Sequence, residues 1–215
     1  MKFILYLLFG LGMFSLSLVA HKKYHHTTLY ALAIGSVVNA NYFPSTHFPI
    51  ICFGLPFGID SVIYGLFTFC VLFMLLQQGK KSAYLLAISS LVAVLFSATM
   101  ELAAVLFASG SSVALWSSMG NFLASALASA LGTVIAVEVI HLLKSRWNPY
   151  LCLALGMGIL CLVNGLLHYP LYFLLFPQAE VWPYVASSAA GKAISIVFGI
   201  AAFKLLRLCQ NNQRR

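Results

Sequence analysis

Seven apolar runs, separated by short connections, dominate this chain and limit what it can fold into. They lie at residues 3–20, 28–43, 59–77, 83–108, 119–143, 149–176 and 184–206. A transmembrane helix needs about 20 predominantly apolar residues, because the hydrocarbon core of a bilayer is about 30 Å thick. Only 7% of the 215 residues are charged, against roughly a quarter in a soluble domain. The sequence therefore predicts an all-α, polytopic membrane helix bundle.

Positive charge is concentrated in alternate connections. Most Lys and Arg residues lie in the segments 21–26, 77–82, 144–149 and 207–215. No Lys or Arg occurs in the intervening connections 44–49, 109–118 and 177–183. Positively charged loops stay on the cytoplasmic side of a membrane, so we expect the C-terminus inside. The net charge of +8 is then explained by the lysines and arginines that orient the chain in the membrane. We therefore expect no nucleic-acid partner.

The first apolar run has two interpretations. Residues 1–20 begin with a Lys-bearing segment and end at Ala20, as a signal peptide would. Cleavage after Ala20 would place Leu18 at the −3 position, where signal peptides usually carry a small residue. We therefore expect a retained N-terminal helix. Either interpretation leaves a single six-helix transmembrane bundle at 28–206, followed by a basic cytoplasmic tail at 207–215.

Three ionisable residues fall at similar depth in three different predicted spans. Glu101, His168 and Lys192 each lie about 10–12 Å below the outer interface, counting ~1.5 Å per helical residue. Asn164 lies one turn from His168 on the same helix face. Ionisable groups inside a span are costly and usually mark a functional site. We interpret them as a polar solute cavity in which Glu101 and Lys192 neutralise each other; a structural ion pair is the alternative.

The uncharged segment NANYFPSTHFP joins the second and third runs, at residues 39–49. A proline restricts the residue before it to extended backbone, so Phe43 and Phe48 interrupt helical structure. Irregular backbone at membrane depth occurs where it lines a cavity or is buried in protein. We expect the segment to dip back toward the bundle and to place Asn39 and Asn41 at the solute site; a plain outer loop is the alternative.

Small residues recur every four positions in the fifth run, at Ala124, Ala128 and Gly132. Small residues at this spacing let two helices approach closely. The segment 124–132 therefore predicts a helix contact surface, and three partners remain open: another helix of this chain, a second copy in a homo-oligomer, or a partner helix.

Neither a metal nor another cofactor is expected. Glu138 and His141 share one helix face, and an interfacial pair beside Lys144 and Arg146 explains them better than a metal site. The five cysteines show no CxxC spacing. The chain also lacks the GxSxG, HExxH and P-loop motifs, and four acidic residues leave little for acid–base catalysis. We therefore expect no enzyme activity.

Five segments carry a family resemblance. They are VVNANYF (37–43), CFGLPFGIDSVIYGLFTF (52–69), NFLASALASALGTVIAVEVIHLLKSR (121–146), LVNGLLHYPLYFLLF (162–176) and GKAISIVFGI (191–200). In this order they are similar to helical segments of the vitamin uptake transporter family, small bacterial membrane proteins that include queuosine-precursor transporters. Lys192 matches the lysine of the family's last helix. The resemblance covers about residues 28–206.

Three positions depart from the family pattern. Phe69 follows Thr68 where the family usually has Asp, and Asn121 stands where it has Arg. Leu167 and His168 occupy the region of an expected acidic residue. The resemblance implies import of a 7-deazaguanine such as preQ0 or preQ1, or of queuine, and the departures allow a different substrate.

Together these features predict a multi-pass protein of the bacterial inner membrane that imports a small, purine-like solute without its own ATPase. The predicted solute-binding residues are Asn39, Asn41, Glu101, Asn164, His168 and Lys192. Two alternatives remain: the substrate-binding subunit of an energy-coupling factor vitamin importer, and a non-transporting membrane assembly factor.

Overall fold

The fold is a helical bundle with one short hairpin. The computed structural model describes residues 2–24, 26–42, 50–52, 55–57, 59–108, 112–175 and 182–212. In these residues the elements are α1 (Lys2–Tyr24), α2 (His26–Tyr42), β1 (Ile50–Cys52), β2 (Leu55–Phe57), α3 (Ile59–Gln78), α4 (Lys80–Ala108), α5 (Ser112–Leu143), α6 (Pro149–Leu175) and α7 (Trp182–Asn212).

Five helical stretches among the described residues are long and apolar enough to cross a membrane. They are Asp60–Gln78, Lys80–Met100, Phe122–Leu143, Pro149–Leu171 and Ser188–Leu205. The predicted all-α membrane bundle is confirmed as a fold class, and the strands β1 and β2 are a small addition to it.

Helix α3 occupies the centre of the bundle. Every residue from Ser61 to Leu75 is buried, and α3 contacts each of the other six helices described. A helix that is apolar on all sides suits this position, because each of its faces meets another helix. Side chains on one face of α3 are therefore neighbours of residues from several helices at once.

Helix α1 packs into the bundle through one face. Tyr6, Phe14 and Ser17 on this face are buried. The Phe14 ring centroid lies 5.6 Å from that of Phe69 in α3 and 6.0 Å from that of Phe198 in α7. Tilted and edge-on ring pairs at such distances are favourable. The N-terminal helix thus contributes to the same core as the later ones.

Some connections differ from the sequence prediction. Only Gly79 separates α3 from α4, and its φ of +93° lets the chain reverse where other residues would be strained. The segment 109–118 was predicted as an outer connection, which is wrong from Ser112 onward, where α5 begins. The stretch from Ser112 to Met119 contains neither Gly nor Pro, so the helix extends beyond the apolar run.

The predicted connection at 144–149 lies between α5 and α6 as expected, and its place on the inner side stays a prediction. Asn148 caps this helix, since its Oδ1 accepts a hydrogen bond from the backbone N–H of Tyr150 at 2.9 Å. Pro149 occupies the first helical position, where its missing N–H is not needed.

A short hairpin packs against the bundle just after the segment that was predicted to dip inward. Strands β1 and β2 pair antiparallel, with Ile50 opposite Phe57. Strand β2 contacts α7, and β1 contacts α1. Residues 43–49 lie outside the described residues, so their inward course stays a prediction.

Candidate functional site

A buried hydrogen bond joins α6 to α7 in the interior of the bundle. The Nζ of Lys192 donates to Oδ1 of Asn164 at 2.5 Å. The two side chains are only 3% and 4% exposed. Moving an ammonium group out of water costs several kcal/mol, and a hydrogen-bond acceptor offsets part of that cost. The Asn164 amide oxygen is such an acceptor.

Tyr64 brings a third helix, α3, to this pair. Its ring centroid lies 5.3 Å from the Lys192 Nζ, which is within cation–π range. Its buried hydroxyl lies beside Ser129 and Asn164 but completes no hydrogen bond with the described part of the chain. Tyr64 therefore retains a donor and an acceptor next to the lysine.

Two further titratable side chains interact electrostatically with Lys192. Asp60, at the beginning of α3, attracts the ammonium group. His168, one turn along α6 from Asn164, also lies within electrostatic range of it, and its ring packs 5.0 Å from the ring centroid of Tyr169. We refer to the set of five side chains as the polar core, which consists of Asp60, Tyr64, Asn164, His168 and Lys192.

The polar core depends on a close approach of α3 and α7. A Cβ atom placed on Gly65 would overlap the Cβ and Oγ atoms of Ser195, and one on Gly191 would lie 2.7 Å from the Cβ of Ser61. The Ser195 hydroxyl lies 3.1 Å from the backbone oxygen of Gly191 and 3.3 Å from that of Ser61. Glycine at these positions allows the two backbones to come this close.

A cavity of 270 Å³ lies between α4 and α5, next to the polar core. Its walls are largely apolar and include Phe67 and Leu91. Four serine and threonine side chains also line it, namely Ser90, Ser125, Ser129 and Thr133. Since Ser129 also neighbours the Tyr64 hydroxyl, the cavity and the polar core share a wall. We refer to this space as the α4–α5 cavity.

An ionic cluster connects α4 to α5 at the end of the α4–α5 cavity where α4 begins. The Lys80 Nζ lies 2.7 Å from Oε1 and 2.8 Å from Oε2 of Glu138. The Tyr84 hydroxyl donates to Oε1 at 2.6 Å, and Tyr84 also lines the cavity. The hydrogen bonds of Glu138 go to α4, because the single-residue turn before α4 brings Lys80 close to α5. His141 on α5 also attracts the Glu138 carboxylate, and the predicted setting of this pair beside Lys144 and Arg146 stays a prediction.

Replacing Lys80 with Gln is expected to lower the melting temperature of the purified protein modestly at low salt. The substitution removes the charge attraction to Glu138, and partly exposed ion pairs are weak and screened by salt. Melting curves at low and high ionic strength provide the measurement, and Lys81→Gln, at the neighbouring exposed lysine, is the matched control. A decrease that does not diminish with salt, or one equal in both variants, would contradict the assignment.

Three of the predicted solute-site residues come together in the structure, namely Asn164, His168 and Lys192. Asn39 lies elsewhere, on the wall of a 470 Å³ cavity formed by α1, α2 and Ile63 of α3. Its amide nitrogen donates to the backbone oxygen of Gly35 at 2.7 Å. The expected proximity is therefore found for Asn164, His168 and Lys192, whereas Asn39 faces a different cavity. Solute binding by these residues stays a prediction.

The side chains of Asn41 and Glu101 lie outside the described residues. The predicted neutralisation of Lys192 by Glu101 therefore stays a prediction. The predicted contact surface at 124–132 packs within this chain, since Ala124 and Ala128 are buried and a Cβ on Gly132 would lie 3.3 Å from Leu160 of α6.

Sequence reasoning missed Tyr64 and the role of Ser129. Tyr64 follows Asp60 by four residues and so shares its helix face, which is a signal that the sequence contains. Ser129 was read only as part of a packing surface, because a serine between small residues carries no sign of a cavity. Comparisons of the chain with protein-family models, with curated proteins and with solved structures find no match.

Proposed function

We propose that this chain is a transporter of the bacterial inner membrane that imports a small, purine-like solute without an ATPase of its own. The observation that carries the proposal is the buried hydrogen bond between Lys192 and Asn164, which lies within two membrane-spanning stretches. Ionisable side chains at this depth lower the stability of a membrane protein and typically mark the path of a substrate or ion. A transport site accounts for their presence.

The chemistry of the polar core supports a flat, hydrogen-bonding solute. The Asn164 amide can donate and accept, the Lys192 ammonium can donate, and the Tyr64 ring offers a face for stacking. Sites for small molecules combine apolar or aromatic surface with a few polar groups of this kind. A heteroaromatic base such as preQ0, preQ1 or queuine, as the family resemblance implies, presents matching donors and acceptors along its edge.

Helix contacts support access from the outer side. In the proposed orientation the Lys80–Glu138 ionic cluster ties α4 to α5 on the cytoplasmic side, whereas Asp60 and Lys192 lie nearer the outer ends of α3 and α7. A solute entering from outside would first meet the polar core and compete for the Lys192–Asn164 hydrogen bond. Inward release would then require α6 and α7 to separate at that bond.

Complementation tests the proposal directly. Bacteria that cannot synthesise queuosine precursors, and that lack a transporter for them, would express this chain and be fed preQ0, preQ1 or queuine. We expect queuosine to appear in their tRNA only when the chain is expressed. Absence of queuosine with every precursor, despite normal amounts of the chain in the membrane, would overturn the proposed substrate class.

A further inference from the structure

The α4–α5 cavity opens sideways, toward the surface that faces lipid in a membrane-spanning bundle. Ile88 and Val134 line it and are 57% and 48% exposed. Ile88 lies about 12 Å along α4 from Lys80, and Val134 lies about 14 Å along α5 from Leu143. In a hydrocarbon layer of about 30 Å, these depths place the opening near the middle of the bilayer.

The lining of this cavity carries hydroxyl groups but no charge. All of its lining residues are apolar, Ser, Thr or Tyr. Ser90 is 1% exposed, and its hydroxyl has no hydrogen-bond partner among the residues that the structure describes. A buried hydroxyl without a partner is unfavourable unless a ligand or water satisfies it. Since a serine hydroxyl can donate, a ligand that carries an acceptor oxygen would satisfy it.

We infer that the α4–α5 cavity binds a neutral, lipid-soluble small molecule that carries a hydrogen-bond acceptor such as a carbonyl or ether oxygen. The lateral opening admits molecules dissolved in the bilayer, and the uncharged walls disfavour ions. The 270 Å³ volume suits a compact ring system, being close to the lower end of the roughly 300–1,000 Å³ usual for ligand pockets. This inference is independent of the proposed import of a purine-like solute.

Occupancy of the cavity bears on the polar core, because Ser129 lines the cavity and neighbours Tyr64 of the polar core. A ligand acceptor that draws the Ser129 hydroxyl toward the cavity would change the surroundings of the Tyr64 hydroxyl, which lies beside Ser129. Tyr64 in turn faces Lys192. The lipid-soluble molecule is thus placed where it can influence the buried lysine without touching it.

Three probes of similar shape test the inference on the purified chain in detergent: 1-tetralone, its hydrocarbon counterpart tetralin, and the anion 1-naphthoate. The melting temperature measured against probe concentration gives an apparent Kd for each. We expect 1-tetralone to bind about fivefold more tightly than tetralin, because that ratio of Kd values corresponds to the net free energy of one hydrogen bond. We expect 1-naphthoate not to bind. Equal effects of all three probes would mean partition into the micelle and would overturn the inference.

Ser90→Ala is expected to remove the advantage of 1-tetralone over tetralin, and Ser89→Ala, on the adjacent residue outside the cavity lining, is expected to keep it. Since the Ser90 hydroxyl has no partner, the substitution should not disturb folding. An unchanged preference in Ser90→Ala would contradict the proposed contact.

Filling the cavity provides the second arm of the test. Ala130→Phe places a ring in the cavity wall, and Ala201→Phe adds the same ring at an exposed position of α7. We expect only Ala130→Phe to abolish the response to 1-tetralone. If wild type is a dimer and Ala130→Phe is a monomer, a second copy covers the opening and the small-molecule inference is wrong.

Discussion

Replacing Gly65 with Ala is expected to lower the free energy of unfolding by roughly 2 kcal/mol or more, the size usual for overpacking a core. The added Cβ would overlap the side chain of Ser195 and lie 3.6 Å from its Cα. Ser195 cannot simply rotate away, because its own Cβ is part of the overlap. The backbones of α3 and α7 would therefore have to separate at the centre of the bundle.

A matched substitution on α6 controls for the change in helix propensity. Gly158→Ala adds the same methyl group where nothing lies within 4 Å, so it should be neutral or stabilising by up to about 1 kcal/mol. Unfolding in mixtures of detergent and SDS measures both variants. Equal stability of Gly65→Ala and wild type would show that α3 and α7 can move apart without any loss of free energy of unfolding.

Ser195→Gly in the Gly65→Ala background is expected to restore part of the lost stability, because it removes the atoms that overlap. The four proteins of this double-mutant cycle give the coupling between the two positions. A coupling near zero would mean that Gly65→Ala destabilises the fold through some contact other than Ser195.

The helices were predictable because the bilayer fixes their length and composition. Each predicted run corresponds to one helix, and most of the observed ends fall within a few residues of the prediction. The start of α5 is the clearest exception, since the residues from Ser112 to Met119 are polar enough to resemble a loop and yet contain no helix breaker.

Helix rotation was not predictable, and it decides which residues meet. Depth along the membrane follows from position in the sequence, so Glu101, His168 and Lys192 were expected in one layer, with Asn164 one turn from His168. The hydrogen bond between Lys192 and Asn164 depends on how α6 and α7 turn toward each other, which packing determines. The same limit hid the contact between Gly65 and Ser195, although small residues at a spacing of four occur on both helices.

Replacing Lys192 with Met is expected to reduce solute uptake about tenfold or more while leaving stability unchanged or higher. Methionine keeps the length and flexibility of the side chain but removes the charge and its hydrogen bond to Asn164. Hydrogen bonds that involve a charged group contribute about 1.5–3 kcal/mol, which corresponds to a change of at least tenfold in binding. Stability should not fall, because removing the cost of desolvating an ammonium group offsets the cost of leaving the Asn164 oxygen without its donor.

Lys204→Met is the matched control, since Lys204 lies on the same helix and is exposed. Uptake of the labelled solute found by complementation, and resistance to SDS unfolding, are measured for both variants. A structural lysine and a transport lysine give opposite results. If Lys192 only fixes the packing of α6 and α7, Lys192→Met should weaken the fold and uptake should fall only as far as the amount of folded protein does. If Lys192 binds solute, uptake should be lost in a protein that is at least as stable as wild type, because the buried charge then serves transport and does not stabilise the fold.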